Sequence, residues 1–442
     1  MRKLQLAGAV ALALGISLPA AAVDGGPFPL PASTGPLNAD DPFLLSTGLT
    51  ATLITDRDTL NAQGLPATFG NWDMSAFDAS SQSIYVPAEV GSGAGVFRYD
   101  VHKGMFKVLI EGNASGIREA DPAAFDAAND DFARLDPATA TPFGSLLTGE
   151  ETSGGRLFEI RNPKSNGKNI HVEFLAKVPS VAHEGLRFDS QGNLYFVDEN
   201  NSGSVYKFVP QSHGNLKVGQ SFVLVVDAFA GNAAENWNSA TNSSQPRTGA
   251  AHWEPLTDEQ GNALAGIADP FAFVTTTGGR NAADDINGAP YGRPEDITLT
   301  TLANGNEIVY FTATSENAVY GIELVGDTTA NVGIFANRDT VDLATGNSVG
   351  SSLASPDNLE TGADGTIYII EDQNGGVNAD IWKAVDANND GVAESIGRWL
   401  SLGVVGAEPT GLEQDPNDPN RFILNIQHPA SGNDALWEIR VR

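Results

Sequence analysis

The stretch Asn193-Leu194-Tyr195-Phe196-Val197, followed across a polar break by Val205-Tyr206-Lys207-Phe208, decides the fold. Both runs are rich in β-branched and aromatic residues, and the second alternates as a strand buried on one face must. The break between them holds Asp198, Asn200 and Gly203, which are turn residues, so the pair reads as a β-hairpin. The same pattern returns five times. Ser83-Ile84-Tyr85-Val86 precedes Val96-Phe97-Arg98-Tyr99, and Ser145-Leu146-Leu147 precedes Leu157-Phe158-Glu159-Ile160. Further on, Ile308-Val309-Tyr310-Phe311 precedes Val319-Tyr320-Gly321-Ile322, and Ile367-Tyr368-Ile369-Ile370 precedes Ile381-Trp382-Lys383-Ala384. The last copy is Phe422-Ile423-Leu424-Asn425 with Leu436-Trp437-Glu438-Ile439.

One hairpin recurs every 50 residues or so, roughly the length that one blade of a β-propeller occupies. Only the third and fourth hairpins lie much farther apart, and the excess, residues 211–290, is rich in Asn, Ala, Ser and Gly. The expectation is an all-β protein, a six-bladed β-propeller over residues 23–442. It has a loop-rich insertion at 211–290 running over one face. A β-sandwich array is the alternative, but six similar hairpins favour radial closure. The segment from Pro42 to Asp56 is expected to supply the outer strand that closes the ring. Composition agrees: 48 Gly and 24 Pro are spread along the 442 residues, which suits short strands and tight turns.

Arg2 and Lys3, the apolar run Leu6 to Leu18 and the small residues Ala20-Ala21-Ala22 have the layout of a secretory signal peptide, residues 1–22, of the Sec type. The run is short for a membrane anchor, so a periplasmic or secreted protein without an anchor is expected. With 25 basic and 55 acidic residues the formal charge is −30, which disfavours nucleic acid and anionic membranes as partners. There is no cysteine, hence no disulfide, thiolate ligand or thiol nucleophile.

Acidic residues recur ahead of the hairpins. They stand in Asn71-Trp72-Asp73, His183-Glu184-Gly185, Arg293-Pro294-Glu295-Asp296, Ser355-Pro356-Asp357-Asn358 and Glu408-Pro409-Thr410-Gly411. The first strand of a propeller blade lines the central channel, so these motifs aim carboxylates at one axis. Singly each reads equally as a turn; together, so many carboxylates need either protons or cations. With oxygen ligands alone Ca²⁺ is favoured, and Glu184, Glu295, Asp357 and Glu408 are candidate ligands. A second acidic row ends the first hairpin strands, at Glu150-Glu151, Asp198-Glu199 and Glu371-Asp372, with Gln427-His428 in the last copy. It adds Glu150, Glu151 and Asp198 as candidate ligands or hairpin-turn residues. Asp386-Ala387-Asn388-Asn389-Asp390-Gly391 opens like an EF-hand loop, but Gly397 stands where its closing Glu belongs, so a surface turn is expected. No nucleophile elbow, phosphate loop or dinucleotide fingerprint is present.

Gly149-Glu150-Glu151, His183-Glu184-Gly185, Asp198-Glu199, Arg293-Pro294-Glu295-Asp296, Pro356-Asp357-Asn358-Leu359, Glu408-Pro409-Thr410-Gly411 and Asn425-Ile426-Gln427-His428-Pro429 together resemble the motifs of the PhoX-type alkaline phosphatases. These are secreted calcium-dependent phosphomonoesterases built on a propeller. The resemblance implies that Glu184, Glu295, Asp357 and Asp198 are metal ligands. It also implies that Arg293 binds the phosphate of a small phosphorylated substrate. In that family carboxylates hold iron as well as calcium, and a cysteine before the Glu-Glu pair ligates iron. Gly149 stands at that place here, and the family's usual twin-arginine export signal is absent. The expected function is therefore a monomeric, calcium-dependent phosphoesterase, with iron lacking its thiolate. The alternatives are a non-catalytic calcium-binding propeller and another calcium-dependent hydrolase such as a lactonase.

Overall fold

The computed structural model describes residues 30–166, 169–273, 276–372 and 376–442. The stretch expected to be an export signal, residues 1–22, lies outside the described residues.

All six hairpins form as the alternation dictates. Period two sends neighbouring side chains to opposite faces of a strand, and here both faces are covered by other sheets. Tyr195 and Val197 pack with Val309 and Phe311 of the fourth hairpin. Leu194 and Phe196, the residues between, pack with Leu147 and Leu157 of the second. The same arrangement runs round the molecule. Apolar clusters join the fourth hairpin to the fifth, the fifth to the sixth, the sixth to the first and the first to the second. The result is an all-β, propeller-like ring whose core lies between the sheets.

Six inner strands surround the axis: β1 (Ala76–Asp78), β2 (Leu135–Ala140), β3 (His183–Phe188), β4 (Pro294–Thr301), β5 (Pro356–Thr361) and β6 (Glu408–Asp415). Each touches the next. Ala138 N–H donates to Met74 O at 2.9 Å, and Thr139 Oγ1 to Leu186 O at 3.2 Å. Leu359 N–H donates to Asp296 Oδ2 at 2.9 Å, Gly411 N–H to Asn358 Oδ1 at 2.9 Å, and Thr410 Oγ1 to Asp73 Oδ1 at 2.6 Å. Between β3 and β4 the backbones approach so closely at Gly185 that a Cβ there would lie 2.3 Å from Ile297 N.

Leu49–Asp56 pairs antiparallel with the last strand, Ala435–Val441, so the start of the chain closes the ring, as expected. The number of separate blades differs from expectation. Four sheets stand apart, but the third and fourth hairpins share one nine-stranded sheet. The cause lies in residues 211–290, which are more than a loop. Gly249–Pro255 pairs on one side with Gly219–Val226 of the third hairpin's sheet and on the other with Thr329–Asn337 of the fourth's. The same segment carries the helix Gly278–Asp285. Asp386 accepts N–H groups from Asp390 and Gly391, so the EF-hand-like stretch is a turn between two strands.

Candidate metal and anion site

At one end of the ring the inner strands begin, and there they surround a cavity of about 450 Å³. Each inner strand or the residues just ahead of it sends one carboxylate inward: Asp73, Asp136, Glu184, Glu295, Asp357 and Glu408. A local device repeats behind them. Asn71, Arg134, Arg293, Ser355 and Gly406 have φ of +53°, +46°, +54°, +47° and +74°, and each lies two residues before its acid. Left-handed backbone is unfavourable for residues other than Gly and recurs where the surrounding fold holds it for a purpose. Here it turns the chain into the inner strand. β-Bulges then follow, since the pairing register shifts across His183/Leu186, Pro294/Ile297 and Pro356/Leu359. A bulge bends a strand and re-aims its side chains.

A second ring of side chains stands above the first. Glu89, Glu151, Glu199 and Asp372 all line the cavity, and each donates its N–H to the carbonyl two residues before an inner acid. The bonds run Glu89 to Asn71, Glu151 to Arg134, Glu199 to Ala182 and Asp372 to Ser355, at 2.8–3.0 Å. Thr314 makes the equivalent bond to Arg293 at 3.0 Å, so the fourth hairpin has a hydroxyl where others have a carboxylate. His428 takes this place in the sixth, 3.5 Å from Glu408.

Of the expected site residues, Glu151, Glu184, Glu295, Asp357, Glu408 and Arg293 come together in this cavity. Glu150 and Asp198 do not, and this corrects the sequence reading. Glu150 is completely buried and bonded to Arg156, with Nε at 3.0 Å and Nη2 at 2.9 Å, and to Arg118 at 3.0 Å. Asp198 is held by Arg280 of the insertion helix, at 2.5 and 2.6 Å, and by Ala182 N–H. The reason is strand parity: in each acidic pair the second residue faces the axis and the first faces away. Asp73, Glu199, Asp372 and His428, which stand in the acidic motifs of the sequence without being candidate ligands, also line it, and Glu89, Asp136 and Arg134 line it from outside those motifs. Asp136-Pro137 carried the signal of Glu408-Pro409 for the second hairpin; Glu89 had no comparable one.

Ten carboxylates face three basic side chains in this space. Burial pushes Asp73 up to about 7, helped by the charge of Glu89. Burial also raises Asp136, Glu184, Glu295, Asp357 and Glu408 well above the usual carboxylate range. Neighbouring carboxylates add to it in each case: Asp73 for Asp136, Asp136 for Glu184, Glu199 for Glu295, and Asp372 for both Asp357 and Glu408. Glu151 is raised in the same way, by burial and by Glu199. Among the described residues, Asp136 Oδ1 and Glu184 Oε2 are buried acceptors without a donor. Arg293 offsets part of the charge. Its Nε and Nη2 lie 2.9 and 2.6 Å from Glu199 Oε1, and Nη2 lies 2.9 Å from Glu295 Oε1. Burial acts to lower its pKa, but Glu295 and Glu199 hold it above the usual value.

Hard, all-oxygen donors, buried acceptors lacking donors and unbalanced negative charge fit hard divalent cations. Among the described residues no three acidic or imidazole groups stand close enough as they are to hold one ion together. Iron gains no soft ligand: at Gly149 a Cβ would lie 2.5 Å from His183 Cβ, so the site has no room for a side chain.

A solved structure of Pseudomonas fluorescens PhoX in complex with vanadate, a transition state analogue, superposes with a TM-score of 0.62 at 16% identity, covering 93% of this chain and 97% of that one. Weaker likenesses include XC5397 from Xanthomonas campestris, a gluconolactonase, with TM-score 0.47 and 10% identity over 93% and 99% of the two chains. Regucalcin from Agrobacterium tumefaciens gives a TM-score of 0.44 at 11% identity over 89% and 96%. No curated protein matches the chain. The family described as alkaline phosphatase PhoX matches residues 148–430, well over half the chain and the part that carries Glu151, Glu184, Arg293, Glu295, Asp357 and Glu408. The chain belongs to the PhoX alkaline phosphatase family.

Proposed function

We propose that the protein is an exported, calcium-dependent phosphomonoesterase, monomeric, on a six-bladed propeller in which the nine-stranded sheet counts as two blades bridged by Gly249–Pro255. The observation that carries this reading is the convergence of one carboxylate from each inner strand on a single cavity that also contains Arg293. Asp73, Asp136, Glu184, Glu295, Asp357 and Glu408, with Glu151 and Asp372, would hold the cations. Bound there, calcium supplies Lewis-acid polarisation of a phosphoryl group and neutralises charge as it develops. The chain's own part is to bring these oxygens together and to admit an anion. Among the described residues Nη1 of Arg293 makes no hydrogen bond, while carboxylates fix its Nε and Nη2, so Nη1 is free to donate to a phosphoryl oxygen. Glu199 sets the plane of that fork.

The test pairs elemental analysis of the purified protein with hydrolysis of an aryl phosphate. Bound calcium, with turnover that a chelator removes and calcium restores, is the expected result. Arg293→Ala should lower kcat/KM by about a hundredfold or more while calcium stays bound. Calcium bound without turnover on any phosphomonoester would instead support the non-catalytic calcium propeller. Absence of any metal would overturn the reading of the cavity.

A further inference from the structure

Six backbone positions are equivalent around the cavity, each two residues ahead of an inner carboxylate: Asn71, Arg134, Ala182, Arg293, Ser355 and Gly406. Only two of them carry a charge, and both are arginines. Arg134 repeats the setting of Arg293 in detail. Both are left-handed, at +46° and +54°. Both offer their carbonyl to the upper ring, Arg134 to Glu151 N–H at 2.8 Å and Arg293 to Thr314 N–H at 3.0 Å. Arg134 is held further by its own N–H, which donates to Val90 O at 2.7 Å. A charged side chain on strained, doubly tethered backbone is a placed group.

The two differ in depth and in what they leave free. The Arg134 side chain is 52% exposed and that of Arg293 is 38% exposed, so Arg134 stands nearer the mouth. Arg293 spends Nε and Nη2 on Glu199, whereas Arg134 makes one hydrogen bond, from Nη1 to Glu89 at 3.0 Å, with Glu151 3.6 Å from the same atom. Among the described residues Arg134 Nε and Nη2 make no hydrogen bond. They form one edge of the planar fork, the edge that receives a carboxylate or phosphate in two parallel bonds. A cavity of about 450 Å³ has room for more than a phosphoryl group.

We propose that Arg134 binds a second anionic group, carried on the leaving group of the ester, so that the substrates are phosphomonoesters bearing another negative charge. This rests on the phosphatase reading for the role of Arg293, but the placement of Arg134 stands apart from it. A purely structural Arg134, there to balance Glu89 and Glu151, would affect all anions alike, so selectivity is the quantity to measure.

The calcium-loaded protein is assayed with phenyl phosphate and with meta- and para-carboxyphenyl phosphate. In parallel, calorimetry follows binding of benzylphosphonate and its carboxylated analogues, which cannot turn over. The unsubstituted protein should prefer the carboxylated compounds in both experiments. Arg134→Gln should cut that preference about tenfold, the loss expected for a charge-assisted pair, and Arg134→Lys should restore part of it. A preference that is absent from the start, or unchanged in Arg134→Gln, overturns the proposal. If no ester is hydrolysed the phosphatase reading fails, and the phosphonate preference still decides the role of Arg134.

Discussion

Glu150 and Glu151 are neighbours in the chain with opposite surroundings. Glu151 lines the cavity, whereas Glu150 is enclosed with Arg156, whose guanidinium is itself fully buried and lies 5.0 Å from the centre of the Phe158 ring. Removing one partner from a buried ion pair leaves an uncompensated charge, which costs about 3–5 kcal/mol. Arg156→Met should therefore lower the urea-unfolding free energy by about that much. Glu150→Gln should weaken folding while calcium affinity is preserved, and Glu151→Gln should lower calcium affinity; titration calorimetry separates the two. At the other end of the channel Arg187 faces Asp296, Glu360 and Glu413, with Glu413 at 3.8 Å. Burial pushes Glu413 up to about 7, against the pull of Arg187 and with the help of Asp296. Its unfolded value is near 4.5. Between these values the folded state holds more protons than the unfolded state, so stability falls as pH rises through that window. Unfolding midpoints of the metal-free protein at pH 5 and pH 8 should show this fall, and Glu413→Gln should make it smaller.

At the scale of the element, the unit that repeats is a left-handed residue, an inner carboxylate two places on, a bulge and an upper side chain tied back to the left-handed carbonyl. It explains why an inner strand can present a carboxylate to the axis while its remaining residues bury themselves between sheets. Close approach of β3 and β4 is a condition of the same geometry. Gly185→Ala places a Cβ within 2.3 Å of Ile297 N and 2.6 Å of Asp296 Cα, contacts that neither backbone can relieve without separating the strands. The variant should lose about 1–3 kcal/mol of stability in a thermal melt and bind calcium more weakly, because Glu184 and Glu295 flank the contact. The helix Gly278–Asp285 acts at this scale too, since it delivers Arg280 to Asp198 and so pairs the carboxylate that strand parity turns away from the axis.

For the whole molecule, ten carboxylates surround one cavity in a chain of formal charge −30, so on the proposed reading folding and cation binding form one equilibrium. On that reading calcium should stabilise the fold by about 2.7 kcal/mol at a hundred times the dissociation constant, so the melting temperature should climb with calcium concentration and a chelator should reverse the rise. A melting point indifferent to calcium would remove the basis for a metal centre. Closure by Leu49–Asp56 links the two ends of the chain, so deletion of this strand exposes the edge of Ala435–Val441 and should abolish a single cooperative transition.

The sequence by itself determined the strands, their pairing into six hairpins, the closing role of the early strand and the recurrence of acids ahead of the hairpins. These depend on local alternation and turn chemistry, which neighbouring residues encode. It also held the motifs that resemble the family to which the chain belongs. Tertiary structure alone decided which member of each acidic pair lines the cavity, because that depends on the register of the strand against the axis. It decided that Gly249–Pro255 joins two sheets, since a strand in a polar, Gly- and Asn-rich segment takes its identity from the edges on either side. It also decided that Glu150 belongs to the buried Arg156 and Asp198 to the partly buried Arg280, and that Arg134 and Arg293 are counterparts. Each of these is a relation between residues distant in the chain, set by packing and charge in the folded ring.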